Sequence, residues 1–383
     1  MTETSRKPDD GVFSDLILLT PGPLTTSLAT KRAMLHDWGS RGQEMAAMTS
    51  RVREKLLNCV GAGQNYECVP IQGSGTYAIE AAIGCLVPRN GKLLIMINGA
   101  YGRRMASICD ILGVDHTVDE SPEEEAIKVE ALHTRLQRDR AITDVAVVHC
   151  ETTTGVLNPL AEICELVVAR GKRLLIDAMS SFGALEINSA KIPFDALVAA
   201  SGKCLEGVPG IAFVILRKDW LEKAGGSARS LSLDLYDQWR YMSQTGQWRF
   251  TPPTQVVAAL DQALGELESE GGVVARGARY KRNCDVLISG MRALGFQTLL
   301  AENVQAPIIV TFSPPNQAKW RFEAFYNGLR RRNYEIYPGK LSKIESFRVG
   351  CIGNLGQAEI QGFLAAARET LDDMGFEAAA GTG

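Results

Sequence analysis

Two residues in this sequence are placed to do chemistry together. Asp177 ends a short apolar strand, 174–176, and Lys203 follows a second apolar run, 196–200, by way of Ser201 and Gly202. Gly207-Val208-Pro209-Gly210 comes just after the lysine and cannot continue a helix. In open α/β sheets the carboxyl ends of strands are where ligands bind, so an acid and an amine at two consecutive strand ends point to one site. The pair suggests pyridoxal 5′-phosphate (PLP): the lysine amine bonds to the cofactor aldehyde, and the acid keeps the pyridine nitrogen protonated so that the ring accepts electrons. Either residue alone reads as a surface lysine or a helix-capping aspartate, since such groups rarely leave the surface. The combination favours the cofactor.

Other stretches offer what such a cofactor needs. Gln72-Gly73-Ser74-Gly75-Thr76 follows an apolar run and opens a helix. Its glycines let backbone N–H groups approach an anion, and Ser74 and Thr76 add hydroxyls at a positive helix terminus. Tyr101, in Asn98-Gly99-Ala100-Tyr101-Gly102, offers a ring face to a planar ligand. Thr152-Thr153-Thr154 precede Gly155 at the next strand end and leave hydroxyls available to a polar ligand edge. His149, on the apolar strand before them, reads as a satisfied structural histidine. Arg348 lies inside the apolar run Phe347-Arg348-Val349-Gly350-Cys351, where a guanidinium calls for a carboxylate, a phosphonate or a structural ion pair. Arg330-Arg331-Arg332 reads as a solvated helix end.

The elements that must position these residues follow from periodicity. Strand-length apolar runs are expected at 68–71, 93–97, 145–149, 174–176, 196–200 and 211–216, and helices at 76–86, 101–112, 123–138 and 160–170. Such alternation predicts an α/β fold with a mainly parallel sheet covered by helices. Helices are also expected near 27–36 and 43–59. Residues 16–23, stopped by two prolines, read as an extended connector, and 227–252 as an irregular crossing segment. Long helices at about 254–268 and 274–294 then lead to strands at 307–312, 334–337 and 346–351, with helices near 318–331 and 357–374. The expected organisation is a disordered lead-in at 1–14, a large cofactor-binding domain at 15–265 (its first part, 15–26, the connector), a smaller α+β domain at 266–375 and a tail at 376–383.

Composition excludes several function classes. A net charge of −3 gives no surface for nucleic acid or an anionic membrane. The nine cysteines are scattered without a CxxC or a zinc spacing, so buried free thiols and no metal site are expected. No run approaches the ~20 apolar residues of a membrane span, and the polar start MTETSRKPDDG lacks the apolar core of a signal sequence. A cytoplasmic protein is the expectation.

With these residues laid out, the chain resembles the class V aminotransferases of PLP fold type I, and within them the branch acting on 2-aminoethylphosphonate. The resemblance runs from about 16 to 370. It rests on LLTPGPLTTS (18–27), QGSGTYAIEA (72–81), NGAYGRR (98–104), HCETTTGVLNP (149–159), DAMSSFGAL (177–185), KCLEGVPG (203–210), TGQWRFTPPT (245–254), APIIVTF (306–312), YPGKL (337–341) and FRVGCIG (347–353). It implies that Lys203 is the lysine bonded to the cofactor and Asp177 the partner of the pyridine nitrogen. It makes Tyr101 the stacking ring, and Ser74, Gly75 and Thr76 the phosphate turn. Thr152 becomes the hydroxyl near the ring oxygen, and Arg348 the holder of the substrate's acidic end. Thr251 matches a threonine that reaches the cofactor phosphate of a neighbouring subunit, which implies a homodimer with shared active sites. The implied reaction moves the amino group of 2-aminoethylphosphonate to pyruvate, giving phosphonoacetaldehyde and L-alanine. Gly202 departs from the family, which more often has an amide residue before the lysine. An ammonia-lyase acting on 1-hydroxy-2-aminoethylphosphonate therefore stays open as an alternative, and so, on the shared cofactor, does an alanine– or serine–glyoxylate aminotransferase. A binding protein without turnover is disfavoured by the intact Asp177 and Lys203.

Overall fold

The computed structural model describes residues 15–315, 317–339 and 345–376. The lead-in expected at 1–14, the end of the 337–341 motif and the tail from 377 onward lie outside the described residues.

The larger sheet has seven strands: β1 (Tyr66–Gly73), β2 (Leu93–Ile97), β3 (His116–Glu120), β4 (Asp144–Val148), β5 (Arg173–Asp177), β6 (Ala196–Ala200) and β7 (Gly210–Arg217). Their order is β1-β7-β6-β5-β4-β2-β3. Strands β2 to β6 pair in parallel, whereas β7 runs antiparallel to both β1 and β6. Every strand but β7 therefore ends on one edge, and that edge receives the Ser74, Tyr101, Thr152, Asp177 and Lys203 loops.

The apolar character of β2 and β4 follows from burial on both faces. Leu94, Met96, Val145 and Val147 join one core, while Leu93, Ile95, Ile97, Ala146 and Val148 join the other. Successive side chains point to opposite faces of a strand, so a sheet covered on both sides shows no polar alternation. The sequence reading missed β3, because HTVDE is an edge strand whose residues are only half-buried or exposed, and edges are commonly charged.

Two further expectations need correction. The helix expected from 123 spans only Val129–Arg138. Ile127 sits in the larger core, and its N–H donates to Asn158 Oδ1 at 2.9 Å instead of entering a helix. The segment 227–252 is not irregular throughout, since Leu235–Thr245 is helical. Asp234 caps that helix by accepting from the Asp237 N–H, and Gly246 ends it in the left-handed region at φ 69°.

The smaller sheet is antiparallel, with β8 (Gln297–Thr298), β9 (Ile309–Ser313), β10 (Tyr337–Pro338) and β11 (Phe347–Gly350) in the order β8-β9-β11-β10. Phe296, Phe312, Phe325, Phe347 and Phe363 fill its core. The 15–26 segment is more than a connector. Ile17–Leu18 pairs with Tyr334–Glu335, and Leu19 is fully buried in this smaller core, because a leucine beside a paired backbone has an apolar face to bury. Among the described residues no helix is long and apolar enough to cross a membrane.

Candidate active site

At the carboxyl edge of the larger sheet, β1 runs into helix α1 (Gly75–Leu86) and β2 into helix α2 (Ala100–Leu112). Between the start of these helices and the ends of β5 and β6 lies a cavity of about 190 Å³, walled by Ser74, Gly75, Thr76, Tyr101, Asp177 and Lys203. Six of the nine residues singled out from sequence thus meet in one space. Ser74 stands at the N-cap of α1 with extended backbone, yet its hydroxyl caps nothing, so the helix terminus keeps its donors for a ligand. Gly75 is required by close approach: a Cβ there would lie 2.4 Å from Met179 Sδ.

Asp177 is buried, and one carboxylate oxygen, Oδ1, accepts from the Met179 N–H at 2.9 Å. Burial pushes its pKa from 3.8 up to about 6, against the opposing pull of the Met179 N–H and the Lys203 charge. A carboxylate in this condition favours a cationic partner. Lys203 Nζ donates to Ser180 Oγ at 3.0 Å and lies 5.7 Å from the centre of the Tyr101 ring.

Thr152 and Arg348 form a second group. Thr152 is buried, and its Oγ1 has no hydrogen-bond partner among the described residues. A buried hydroxyl left this way costs about 1–3 kcal/mol, which a ligand oxygen would relieve. Arg348 is buried in β11, where Nε donates to the Pro338 carbonyl at 3.1 Å and Nη1 to the Thr152 carbonyl at 2.8 Å. Burial lowers its pKa, and it forms no ion pair among the described residues. The structural ion pair considered from sequence is absent there, and Nη2 donates to no described residue.

Thr251 stands apart. It is exposed and lines a separate cavity of about 340 Å³ with Gln72, Tyr77, Trp248 and Phe250, so its own chain does not bring it to Lys203. His149 is the satisfied histidine expected. Its Nδ1 lies 2.9 Å from Ser181 Oγ, and burial drops its pKa to about 4, which keeps the ring neutral.

Three residues escaped the sequence reading. Arg104 lines the cavity, donates from Nη1 to Thr76 Oγ1 at 3.1 Å and sits over the Tyr101 ring at 4.9 Å. Its i+3 spacing from Tyr101 on α2 was the signal. Ser180 holds the lysine amine, but nothing marks it out within Met179-Ser180-Ser181. Glu151 is a buried carboxylate that accepts from the Thr153 N–H at 3.0 Å, Thr153 Oγ1 at 2.6 Å and the Tyr101 N–H at 3.3 Å. A negative group at the N-terminus of α2 steadies the turn that presents Tyr101. No cluster able to hold a metal occurs among the described residues.

An acid for a ring nitrogen, an amine, a stacking ring, a helix N-terminus for a phosphate and an unpaired hydroxyl suit PLP. The comparisons with known proteins agree. A sequence model of the family described as "Aminotransferase class-V" matches residues 27–327. The 2-aminoethylphosphonate–pyruvate transaminase 1 of Polaromonas sp. is 54% identical over 369 residues, 96% of this chain and 99% of that protein. A protein of the same name from Pseudomonas fluorescens is 53% identical over 362 residues, 94% of this chain and 98% of its own length. Among solved structures, the pyridoxamine–pyruvate aminotransferase of Mesorhizobium loti superposes with a TM-score of 0.87 at 23% identity, covering 96% of this chain and 94% of that one. The alanine–glyoxylate aminotransferase of Nostoc sp. gives 0.87 at 24%, covering 95% and 97%. These two likenesses concern the fold, while the sequence matches span nearly every element described above. The chain belongs to the class V aminotransferases.

Proposed function

We propose that this enzyme transfers the amino group of 2-aminoethylphosphonate to pyruvate, giving phosphonoacetaldehyde and L-alanine, a step in phosphonate breakdown. The observation that carries this reading is identity above 50%, over more than nine-tenths of the chain, to proteins named for that reaction. The cofactor is PLP, as for the family.

When bound, PLP supplies an electron sink for the carbanion left when a proton leaves the amine-bearing carbon of the substrate. Our assignment of the protein's part is as follows. Lys203 would hold the cofactor covalently, and its freed Nζ would take the proton from that carbon and later return one, as a positioned base and acid. Ser180, 3.0 Å from Nζ, orients the amine. Asp177 would keep the ring nitrogen protonated, which its buried carboxylate suits. Tyr101 would stack on the ring, Ser74, Gly75 and Thr76 would hold the phosphate at the N-terminus of α1, and the unpaired Thr152 Oγ1 would hydrogen-bond the cofactor. Arg348 holds the phosphonate, and afterwards the carboxylate of pyruvate, by a planar fork that fits either anion. Because Thr251 is exposed and away from Lys203 of its own chain, we assign it to the cofactor phosphate of a second copy, in a homodimer with shared sites.

The chain divides, in this reading, into a larger and a smaller part. Helix α4 (Thr254–Glu270; α3 being Leu235–Thr245) runs through the boundary expected at 265. Leu267 still belongs to the larger core and Cys284 already to the smaller, so we put the division between them. A cytoplasmic location accords with nine free cysteines, eight of them buried.

The test is a product assay on the purified, PLP-loaded protein. Alanine should appear only when 2-aminoethylphosphonate and pyruvate are both present. Ammonia released from 1-hydroxy-2-aminoethylphosphonate without a keto acid would favour the lyase instead. Gly202 is the feature on which that second reading rests. A Cβ there would lie 3.1 Å from Pro209 N, so the backbone leaves little room for the amide side chain common in the family.

A further inference from the structure

An ion network, buried at Glu206 and Arg276 and half-buried at Glu270 and Arg279, lies behind the Lys203 loop, outside the cavity. Glu206 is buried and has φ 59°, a left-handed backbone that residues other than glycine adopt only where their surroundings hold them. Its Oε1 accepts from Tyr280 Oη at 2.6 Å and from Arg279 Nη2 at 2.7 Å. Arg276 Nη1 lies 3.5 Å from the same carboxylate and donates to the Cys204 carbonyl at 2.9 Å. Glu270 closes the set, accepting from Arg276 Nε at 2.5 Å and Arg279 Nε at 2.8 Å. Two carboxylates thus face two guanidiniums.

The same residues reach in a second direction. Arg276, Arg279, Tyr280 and Asn283 fall at i, i+3, i+4 and i+7 on helix α5 (Gly272–Ala293), one face of the helix. Arg279 Nη1 donates to the carbonyls of Gly353 (2.7 Å) and Leu355 (2.8 Å), and Tyr280 Oη accepts from the Gly353 N–H at 3.2 Å. Asn283 Nδ2 donates to the carbonyls of Cys351 (3.3 Å) and Leu355 (3.1 Å). Residues 351–355 continue directly from β11, the strand of Arg348.

We propose that this polar face of α5 is a positioning device: it grips the loop after Lys203 on one side and the turn leaving β11 on the other, and so sets where the Arg348 guanidinium stands relative to Lys203 Nζ. The proposal rests on the reading of Arg348 as the holder of the substrate's acidic end. A substrate with an amine at one end and an anion at the other has a fixed span, so both protein groups must be registered to it. Stability alone does not account for the network, because apolar side chains of like volume commonly replace buried ion clusters without loss.

Tyr280→Phe tests this, since it deletes the hydroxyl that joins Glu206 to the Gly353 N–H and keeps the ring. In the PLP-loaded enzyme, KM for 2-aminoethylphosphonate and for pyruvate should rise about tenfold, the scale of one hydrogen bond to a charged group. Single-turnover reaction with ethylamine, which has the amine and no acidic end, should be unchanged, as should the absorbance of the bound cofactor. In an Arg348→Lys background, Tyr280→Phe should add nothing further to KM. Equal losses with both amines, or effects of the two substitutions that simply multiply, mean that the network only supports the fold, and overturn the proposal. If Arg348→Lys alone leaves KM for 2-aminoethylphosphonate unchanged, the reading of Arg348 has failed and the proposal falls with it, a distinguishable result. Should Tyr280→Phe not fold, Arg279→Lys repeats the test, keeping the charge while dropping the fork to Gly353 and Leu355.

Discussion

Arg348 Nη1 donates a 2.8 Å hydrogen bond to the main-chain carbonyl of Thr152, joining β11 of the smaller sheet to the loop that follows β4 of the larger one. Thr311 Oγ1, on β9, donates to the carbonyl of Thr154 at 2.7 Å, two residues further along the same loop. The smaller sheet is therefore stitched to the strand-end loop that also carries the unpaired Thr152 hydroxyl.

Lys203→Ala should abolish turnover while leaving the thermal midpoint close to that of the parent without cofactor. The change removes one amine that, among the described residues, hydrogen-bonds to Ser180, and leaves the core intact. Absorbance at roughly 400–430 nm, where a lysine-bound cofactor absorbs, should vanish on loading with PLP. Multiple turnovers by the purified variant would remove Lys203 from the mechanism.

Asp177 makes the protein's stability depend on pH in a direction opposite to most carboxylates. Its folded pKa, about 6, lies above the ordinary 3.8, so the folded chain binds the proton more tightly than the unfolded one. The associated stability is present in full below pH 3.8 and is lost as pH rises through 6. The loss is worth about 3 kcal/mol. His149 acts oppositely, since its folded pKa of about 4 adds stability as pH rises from 4 to 6.5. Urea unfolding of the PLP-free protein against Asp177→Asn, at pH 4.5 and 7, cancels the histidine. The parent should lose stability relative to the variant as pH rises, whereas a difference independent of pH contradicts the buried, raised carboxyl. In the loaded enzyme the same substitution should slow single turnover far more than it weakens PLP binding.

Thr152→Val should act with two signs. Valine matches threonine in shape and removes a buried hydroxyl that no described residue satisfies, so the PLP-free protein should gain about 1 kcal/mol in urea unfolding. PLP binding, measured by fluorescence titration, should weaken at the same time. Lower stability without cofactor would mean that the hydroxyl already has a partner.

The parts of this molecule that were legible in the sequence are those whose signal is local. β5 closes a short apolar run on Asp177 and β6 leads within three residues to Lys203, and both could be found from that pattern alone. The helix at Leu235–Thr245 was also locally signalled, by Asp234 and Gly246, but its aromatic and arginine-rich body hid the periodicity. Edge strand β3 gave no apolar run at all. Glu206 lies more than sixty residues before Glu270 and Arg276, and each reads as a solvated charge; only folding brings them into one cluster. Thr251 is a different case, because it is exposed and lines a separate cavity in its own chain, so the role proposed for it rests on a second copy that no residue near it reveals.

Arg348→Lys decides whether one guanidinium serves both half-reactions. Two of its nitrogens already donate to the Pro338 and Thr152 carbonyls, while Nη2 donates to no described residue, so the fork is held in place with one prong left for an anion. Burial lowers its pKa, against the opposing pull of Tyr101, Tyr337 and Glu151. Lysine would keep the charge but lose the planar geometry and both carbonyl bonds. Apparent affinities for 2-aminoethylphosphonate and for pyruvate should weaken together, each by about 1.5–3 kcal/mol, the scale of hydrogen bonds to charged groups. Binding of PLP should change little, because Arg348 does not wall the cavity that Lys203 and Asp177 share. The measurement is KM for each substrate at saturating concentration of the other, with PLP retention followed by absorbance. If only one KM moves, the two acids are held at different places and the shared-anchor assignment is wrong.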